Sequence, residues 1–119
     1  MSEEYQQIRT ALDRGLYLDN LRHITKLCLA VLQGNPKHPA IPFTIATICR
    51  WIADAWDDVG PGIPTAISQR VEQQLKSHLV SLLTLTEADS KAVCAALDEA
   101  ALAFKEAIRR GLDSDLVGN

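Results

Sequence analysis

The residues best suited to chemistry are three aspartates, Asp54, Asp57 and Asp58, near the end of an apolar segment at 43–59. Positions i, i+3 and i+4 place the three carboxylates on adjoining parts of one helical face. Such a cluster could hold Mg²⁺ or Ca²⁺, which prefer oxygen ligands. It could also form a charged partner surface or a solvated helix end. The negative end of the helix macrodipole does not favour acids, and a broken local rule often marks a functional site.

Arg50 and Trp51 lie directly before these aspartates. Trp51 falls about 120° from the centre of the apolar stripe of its helix, so it either packs against another helix or stands partly exposed. An exposed tryptophan with a charged rim has the composition of an interface hot spot. The sequence therefore predicts a partner-binding surface formed by Arg50, Trp51, Asp54, Asp57 and Asp58.

The motifs of catalysis and cofactor binding are missing from the sequence. GxSxG, HExxH, GxxxxGK[ST] and GxGxxG do not occur, which disfavours the hydrolases, metalloproteases and nucleotide-binding proteins that use them. His78 lies in an apolar stripe, and we interpret it as a buried neutral histidine rather than a metal ligand. The GPGIP turn at 60–64 is interpreted as an ordinary loop rather than an anion site. We predict no catalytic residue, metal or cofactor, and we do not expect an enzyme.

Length and charge favour one small soluble domain, residues 1–119. The 119 residues carry a net charge of -3 without a basic run, so nucleic acid is not an expected partner. No apolar run approaches the ~20 residues of a membrane span, and the acidic start does not resemble a signal peptide. Three single cysteines without CxxC indicate reduced, buried thiols in a cytoplasmic protein.

Apolar periodicity predicts an all-α fold: a compact bundle of four main helices plus a shorter N-terminal helix. Gly15 and Gly111 are interpreted as helix stops. Three prolines exclude regular helix from the loop at 35–42, and the tail at 112–119 is expected to fray. The predicted helices span residues 2–14, 17–33, 43–58, 64–85 and 87–110.

Stripes of apolar residues at helical spacing define the expected core. In the second helix the stripe is Tyr17, Leu21, Ile24, Cys28 and Val31. In the third helix it is Ile45, Ile48, Cys49, Ile52, Trp56 and Val59. In the fifth helix, which a capping-box pattern at 86–89 begins, it is Val93, Leu97, Ala100, Phe104 and Ala107.

These features predict a small cytoplasmic protein that acts as a protein–protein interaction or regulatory module and self-associates. The expected partner is another protein or a second copy, and neither nucleic acid nor membrane. One alternative is a bundle that binds a small apolar or anionic ligand in a pocket near the tryptophans. Another is a divalent-metal enzyme that uses Asp54, Asp57 and Asp58.

Overall fold

The computed structural model describes residues 3–59, 65–85 and 89–117, and these form five helices without any strand. The predicted all-α fold class is confirmed. The helices are α1 (Glu3–Asp13), α2 (Leu18–Gln33), α3 (Ala40–Val59), α4 (Thr65–Leu83) and α5 (Ser90–Val117).

Two helical hairpins make up most of the fold. The largest contacts join α2 to α3 and α4 to α5, and each pair is consecutive in the chain, as in antiparallel helix hairpins. Helix α1 packs against α2 and α4, whereas α3 makes smaller contacts with α4 and α5. Helix α1 therefore joins the two hairpins, and among the described residues one side of α3 remains exposed.

The predicted stripes supply much of the core. Leu21, Ile24, Cys28 and Val31 of α2 are buried, as predicted. Ile45, Ile48, Cys49 and Ile52 of α3 are also buried. On α5, Val93, Ala100 and Ala107 are buried, while Leu97 and Phe104 pack partly buried against the core. The predicted core residues Trp56 and Val59 lie outside the side chains that the structure describes.

The break after α1 is a close junction of three helices. Gly15 has φ +116°, a left-handed conformation that glycine adopts easily, and the predicted helix stop there is confirmed. The buried side-chain amide of Asn20, in α2, donates hydrogen bonds to the carbonyls of Ala11 at 2.7 Å and Gly15 at 2.6 Å. Lys76 Nζ, from α4, donates to the Asp13 carbonyl at 3.2 Å. The carbonyls of Asp13 and Gly15 lie past the last intrahelical hydrogen bonds, and Lys76 and Asn20 supply their donors. The Ala11 carbonyl also accepts from the Arg14 N–H at 3.1 Å, so Asn20 is its second donor.

The prediction that the loop at 35–42 contains no helix was wrong at its C-terminal end. Helix α3 begins at Ala40 and includes Pro42 in its first turn. Proline is tolerated there because the first N–H groups of a helix need no intrahelical acceptor. The left-handed residue that ends the α2 segment is Asn35, with φ 54°, directly before Pro36.

Both predicted boundaries of α5 were wrong. The helix continues through Gly111 to Val117, so residues 112–117 are not a frayed tail. Glycine costs only about 1 kcal/mol relative to alanine inside a helix. At the start, Asp89 Oδ1 accepts a hydrogen bond from the Ala92 N–H at 2.8 Å, which is the geometry of an aspartate N-cap. The other members of the predicted capping box, at 86–88, lie outside the described residues.

Three burial predictions were also wrong. Tyr17 is exposed because it precedes α2 in extended backbone and does not share the helical stripe. His78 is half-buried, and the neighbouring Leu79 occupies the core instead. Cys94 is exposed, since it lies about 100° around α5 from the buried Val93.

Candidate functional site

The outer side of α3 carries the predicted partner-binding residues that the structure describes. The opposite side of α3 is exposed, whereas four of its side chains point into the core: Ile45, Ile48, Cys49 and Ile52. We call this exposed side the α3 face and define it by the side chains of Phe43, Arg50, Trp51, Asp54 and Asp57. The structure thus brings four of the five predicted residues onto one surface. The side chain of the fifth, Asp58, lies outside the described part of the chain.

Trp51 forms the aromatic flank of the α3 face, on the side of α5. Its side chain is 48% exposed. Its ring centroid lies 5.3 Å from that of Phe104, with the planes tilted by 40°, which is within the range of favourable aromatic pairs. Both alternatives drawn from the sequence hold in part, because one region of the indole contacts another helix while the rest remains open to solvent.

The charged flank of the α3 face lies on the side of α2. Arg22 Nη2 is 3.9 Å from Asp57 Oδ2, and both side chains are largely exposed. An exposed pair of this length contributes about 0–1 kcal/mol. The last turn of α3 contains no basic residue, so Asp57 takes its cationic partner, Arg22, from α2. The antiparallel hairpin brings the first half of α2 beside the end of α3.

An open groove of about 330 Å³ separates α2 from α3 next to this flank. Three of its side chains are cationic and one is an aspartate. The Thr25 hydroxyl donates to the Leu21 carbonyl at 2.9 Å, so its lone pairs remain available as acceptors. The lining side chains are Arg22, Thr25, Lys26, Arg50, Ala53 and Asp54.

A metal centre finds no support in the described side chains. No group of three His, Cys, Asp or Glu residues is close enough there to hold a metal ion. Asp54 and Asp57 are exposed and separated by nearly one helical turn. A site that needs Asp58 falls outside the side chains described.

The two buried cysteines are poor nucleophiles. Burial raises the pKa of Cys28 from 9.0 to about 12. Burial also raises the pKa of Cys49 above its usual 9.0, and the neighbouring Cys28 adds to this shift. Since the thiolate is the reactive form, both groups stay protonated and inert near neutral pH.

Sequence reasoning missed one member of the α3 face, Phe43, and one residue that packs against it, Phe104 of α5. Phe43 is 62% exposed and lies two turns before Arg50 on nearly the same side of the helix. A seven-residue spacing on one helix is visible in the sequence, so this signal was available. Phe104 could not be paired with Trp51 in this way, because the contact joins residues on different helices.

Comparison of the chain with protein-family models, curated proteins and solved structures gave no match. Among the described residues, no helix combines the length and apolar character needed to cross a membrane. Function is therefore inferred from the residues of this chain and from the geometry of the α3 face.

Proposed function

We propose that the protein is a small interaction module that binds protein through the α3 face, and that it self-associates through this surface. The observation that carries the proposal is the half-exposed Trp51, held against Phe104 and bordered by Arg50 and Asp54. Tryptophan is among the residues most enriched in interface hot spots, and a polar rim is typical around such an anchor.

The α3 face differs from isolated exposed apolar residues because two aromatic side chains lie on the same side of one helix. Single exposed hydrophobic side chains are normal on soluble proteins. Phe43 and Trp51, however, are both exposed on one side of one helix, with charged side chains between and beyond them. A partner that covers this side would bury two aromatic rings while leaving the charges at the edge.

Contact with Phe104 also favours binding. Packing on one side of the Trp51 ring restricts its rotamers before a partner arrives. Less side-chain entropy is then lost on association, where immobilising a flexible side chain costs about 0.5–1.5 kcal/mol. The indole is therefore presented in a partly fixed orientation with its other surface free.

Sedimentation velocity of the purified protein and of Trp51→Ala tests the proposal. We expect Trp51→Ala to weaken self-association about tenfold or more, as removal of a hot-spot residue does. Leu102→Ala is the matched control, because Leu102 is 62% exposed on the side of α5 that points away from Phe104. Equal association constants for Trp51→Ala and Leu102→Ala would refute the role of the α3 face.

A second candidate function is the binding of a small anionic ligand in the groove between α2 and α3. Arg22, Lys26 and Arg50 line this groove, and convergent cations are the groups that recognise phosphate or carboxylate. Titration with inorganic phosphate and with citrate, monitored by tryptophan fluorescence at constant mass, separates this candidate from association. Saturable binding that Lys26→Ala abolishes would support it, and an unchanged spectrum would exclude these anions as ligands.

A further inference from the structure

Along α3, the basic residue of the α3 face precedes its two acidic residues. Arg50 comes first, and Asp54 and Asp57 follow about one and two turns later. Asp57 has a partner in Arg22. Among the described residues, Arg50 and Asp54 form no ion pair, and both side chains are exposed. One basic and one acidic group are thus available on the same surface.

Two copies of the α3 face have complementary charges only when their α3 helices are antiparallel. A two-fold axis parallel to α3 would place each residue opposite its own copy, so Arg50 would face Arg50 and Asp54 would face Asp54. Like charges that meet at an interface are destabilising. A two-fold axis perpendicular to α3 reverses the second helix, so that the basic position of each copy meets an acidic position of the other.

We propose that the occupant of the α3 face is a second copy of this chain, packed antiparallel across a two-fold axis near residue 52. Arg50 of each copy then faces Asp54 of the other, which gives two equivalent ion pairs. This inference rests on the proposed function, since it specifies the partner and the orientation at the same surface.

The position of Trp51 is also consistent with a two-fold axis near residue 52. Residue 52 is the midpoint between Arg50 and Asp54, and Trp51 lies within about 1.5 Å of that level along the helix. In an antiparallel pair about such an axis, equivalent flanks of the two helices lie on the same side. The two Trp51 side chains therefore approach each other beside the axis and cover the surfaces that Phe104 leaves open.

Exchange of the two charges tests the orientation. Arg50→Asp and Asp54→Arg each create two like-charge contacts, and we expect each variant alone to dimerise about tenfold or more weakly. An equimolar mixture of the two variants places Asp opposite Arg in both contacts. The mixture is expected to form heterodimers with nearly the unmodified affinity, as is the homodimer of the double variant Arg50→Asp/Asp54→Arg.

Matched controls separate the contact from net charge. Lys105→Asp and Asp98→Arg make the same changes of charge on the exposed outer side of α5 and should leave the dimer unchanged. Circular dichroism melting verifies that every variant is folded. Sedimentation velocity gives the association constants of single variants, mixtures and controls.

The outcomes distinguish the inference from the proposed function. Recovery in the mixture and in the double variant supports the antiparallel dimer. If Trp51→Ala weakens the dimer but charge exchange does not restore it, the orientation is wrong and the interaction surface stands. If the unmodified chain is a monomer that binds a different protein through Trp51, a second copy is excluded as the occupant. If neither Trp51 nor the charges affect association, both proposals fail.

Discussion

Asn20 is a polar side chain inside an apolar core, and its surroundings explain why. The side chain is buried, and its amide donates to the carbonyls of Ala11 and Gly15 at the end of α1. A buried carbonyl without a donor is costly, and the Asn20 amide is the donor to the Gly15 carbonyl and a second donor to the Ala11 carbonyl. Asn20 thereby links the start of α2 to the end of α1.

Replacement of Asn20 by alanine removes both hydrogen bonds while the carbonyls stay buried. We expect Asn20→Ala to lower the free energy of unfolding by about 1–3 kcal/mol, because the buried Gly15 carbonyl loses its donor and an unsatisfied buried group costs about 1–3 kcal/mol. The Ala11 carbonyl keeps its hydrogen bond from the Arg14 N–H. Urea denaturation measures the change. Gln73→Ala, at an exposed position of α4, serves as the control and should change stability by less than about 0.5 kcal/mol. A similar loss in both variants would contradict the capping role.

Gly15 and Gly34 have different backbone conformations, and only that of Gly15 requires glycine. Gly15 has φ +116°, and a Cβ there would lie 3.1 Å from Glu72 Oε1. We expect Gly15→Ala to destabilise the fold by about 1–2 kcal/mol, which is the usual cost of a left-handed conformation. Gly34 has φ -87°, which alanine adopts freely, so Gly34→Ala should be neutral or slightly stabilising. Thermal melting that shows equal losses for both variants would exclude the backbone explanation.

At the scale of elements, the hairpin of α2 and α3 buries two thiols. Cys28 and Cys49 are fully buried, and burial raises the pKa of each above 9.0, to about 12 for Cys28. In the unfolded chain both thiols ionise near pH 9, whereas in the folded chain they remain protonated to higher pH. The folded state therefore binds more protons in this range, so the stability that these thiols contribute is complete below pH 9 and falls between pH 9 and about 12.

The stability of the protein above pH 9 tests whether the buried thiols destabilise the folded state at alkaline pH. Each buried thiol is expected to add about 1.4 kcal/mol per pH unit to the decline of unfolding free energy above pH 9. In Cys49→Ala, the unfolding free energy should fall less steeply with pH, by about 1.4 kcal/mol per pH unit. Cys94→Ala removes an exposed thiol and should leave the slope unchanged. Urea denaturation across this pH range measures the slopes. Identical slopes for Cys49→Ala and Cys94→Ala would show that the buried thiol does not control them.

Local patterns in the sequence were sufficient to predict the helices and most of their inner sides. The stripe of α3 is an example, because burial repeats with the helical period wherever one side meets the core. The ends of α5 were less predictable. Gly111 is a common helix stop, yet here the helix continues through it, since a single glycine costs little compared with continued hydrogen bonding.

The candidate site shows the same division between local and long-range information. Arg50, Trp51, Asp54 and Asp57 share the exposed side of one helix, and their spacing in the sequence was sufficient to predict this shared side. Phe104 reaches Trp51 only because α5 packs beside α3, and Arg22 reaches Asp57 only because α2 and α3 form a hairpin. Tertiary packing of this kind has no signature in the spacing of a single helix.

At the scale of the whole molecule, the fold is elongated, with principal extents of 46 × 27 × 19 Å. Two hairpins joined through α1 leave α3 flanked by α2 on one side and partly by α5 on the other. Trp51 and Phe104 form an aromatic contact between the hairpins at this open side. A second α3 packed there would cover this exposed side, as the proposed dimer requires.

Sedimentation equilibrium of the unmodified protein at tens of micromolar is the decisive test of self-association through the α3 face. We expect a mass that rises with concentration from 13.1 kDa towards twice that value, and a mass that stays near 13.1 kDa for Trp51→Ala over the same range. A constant mass of 13.1 kDa for the unmodified chain would contradict self-association through the α3 face.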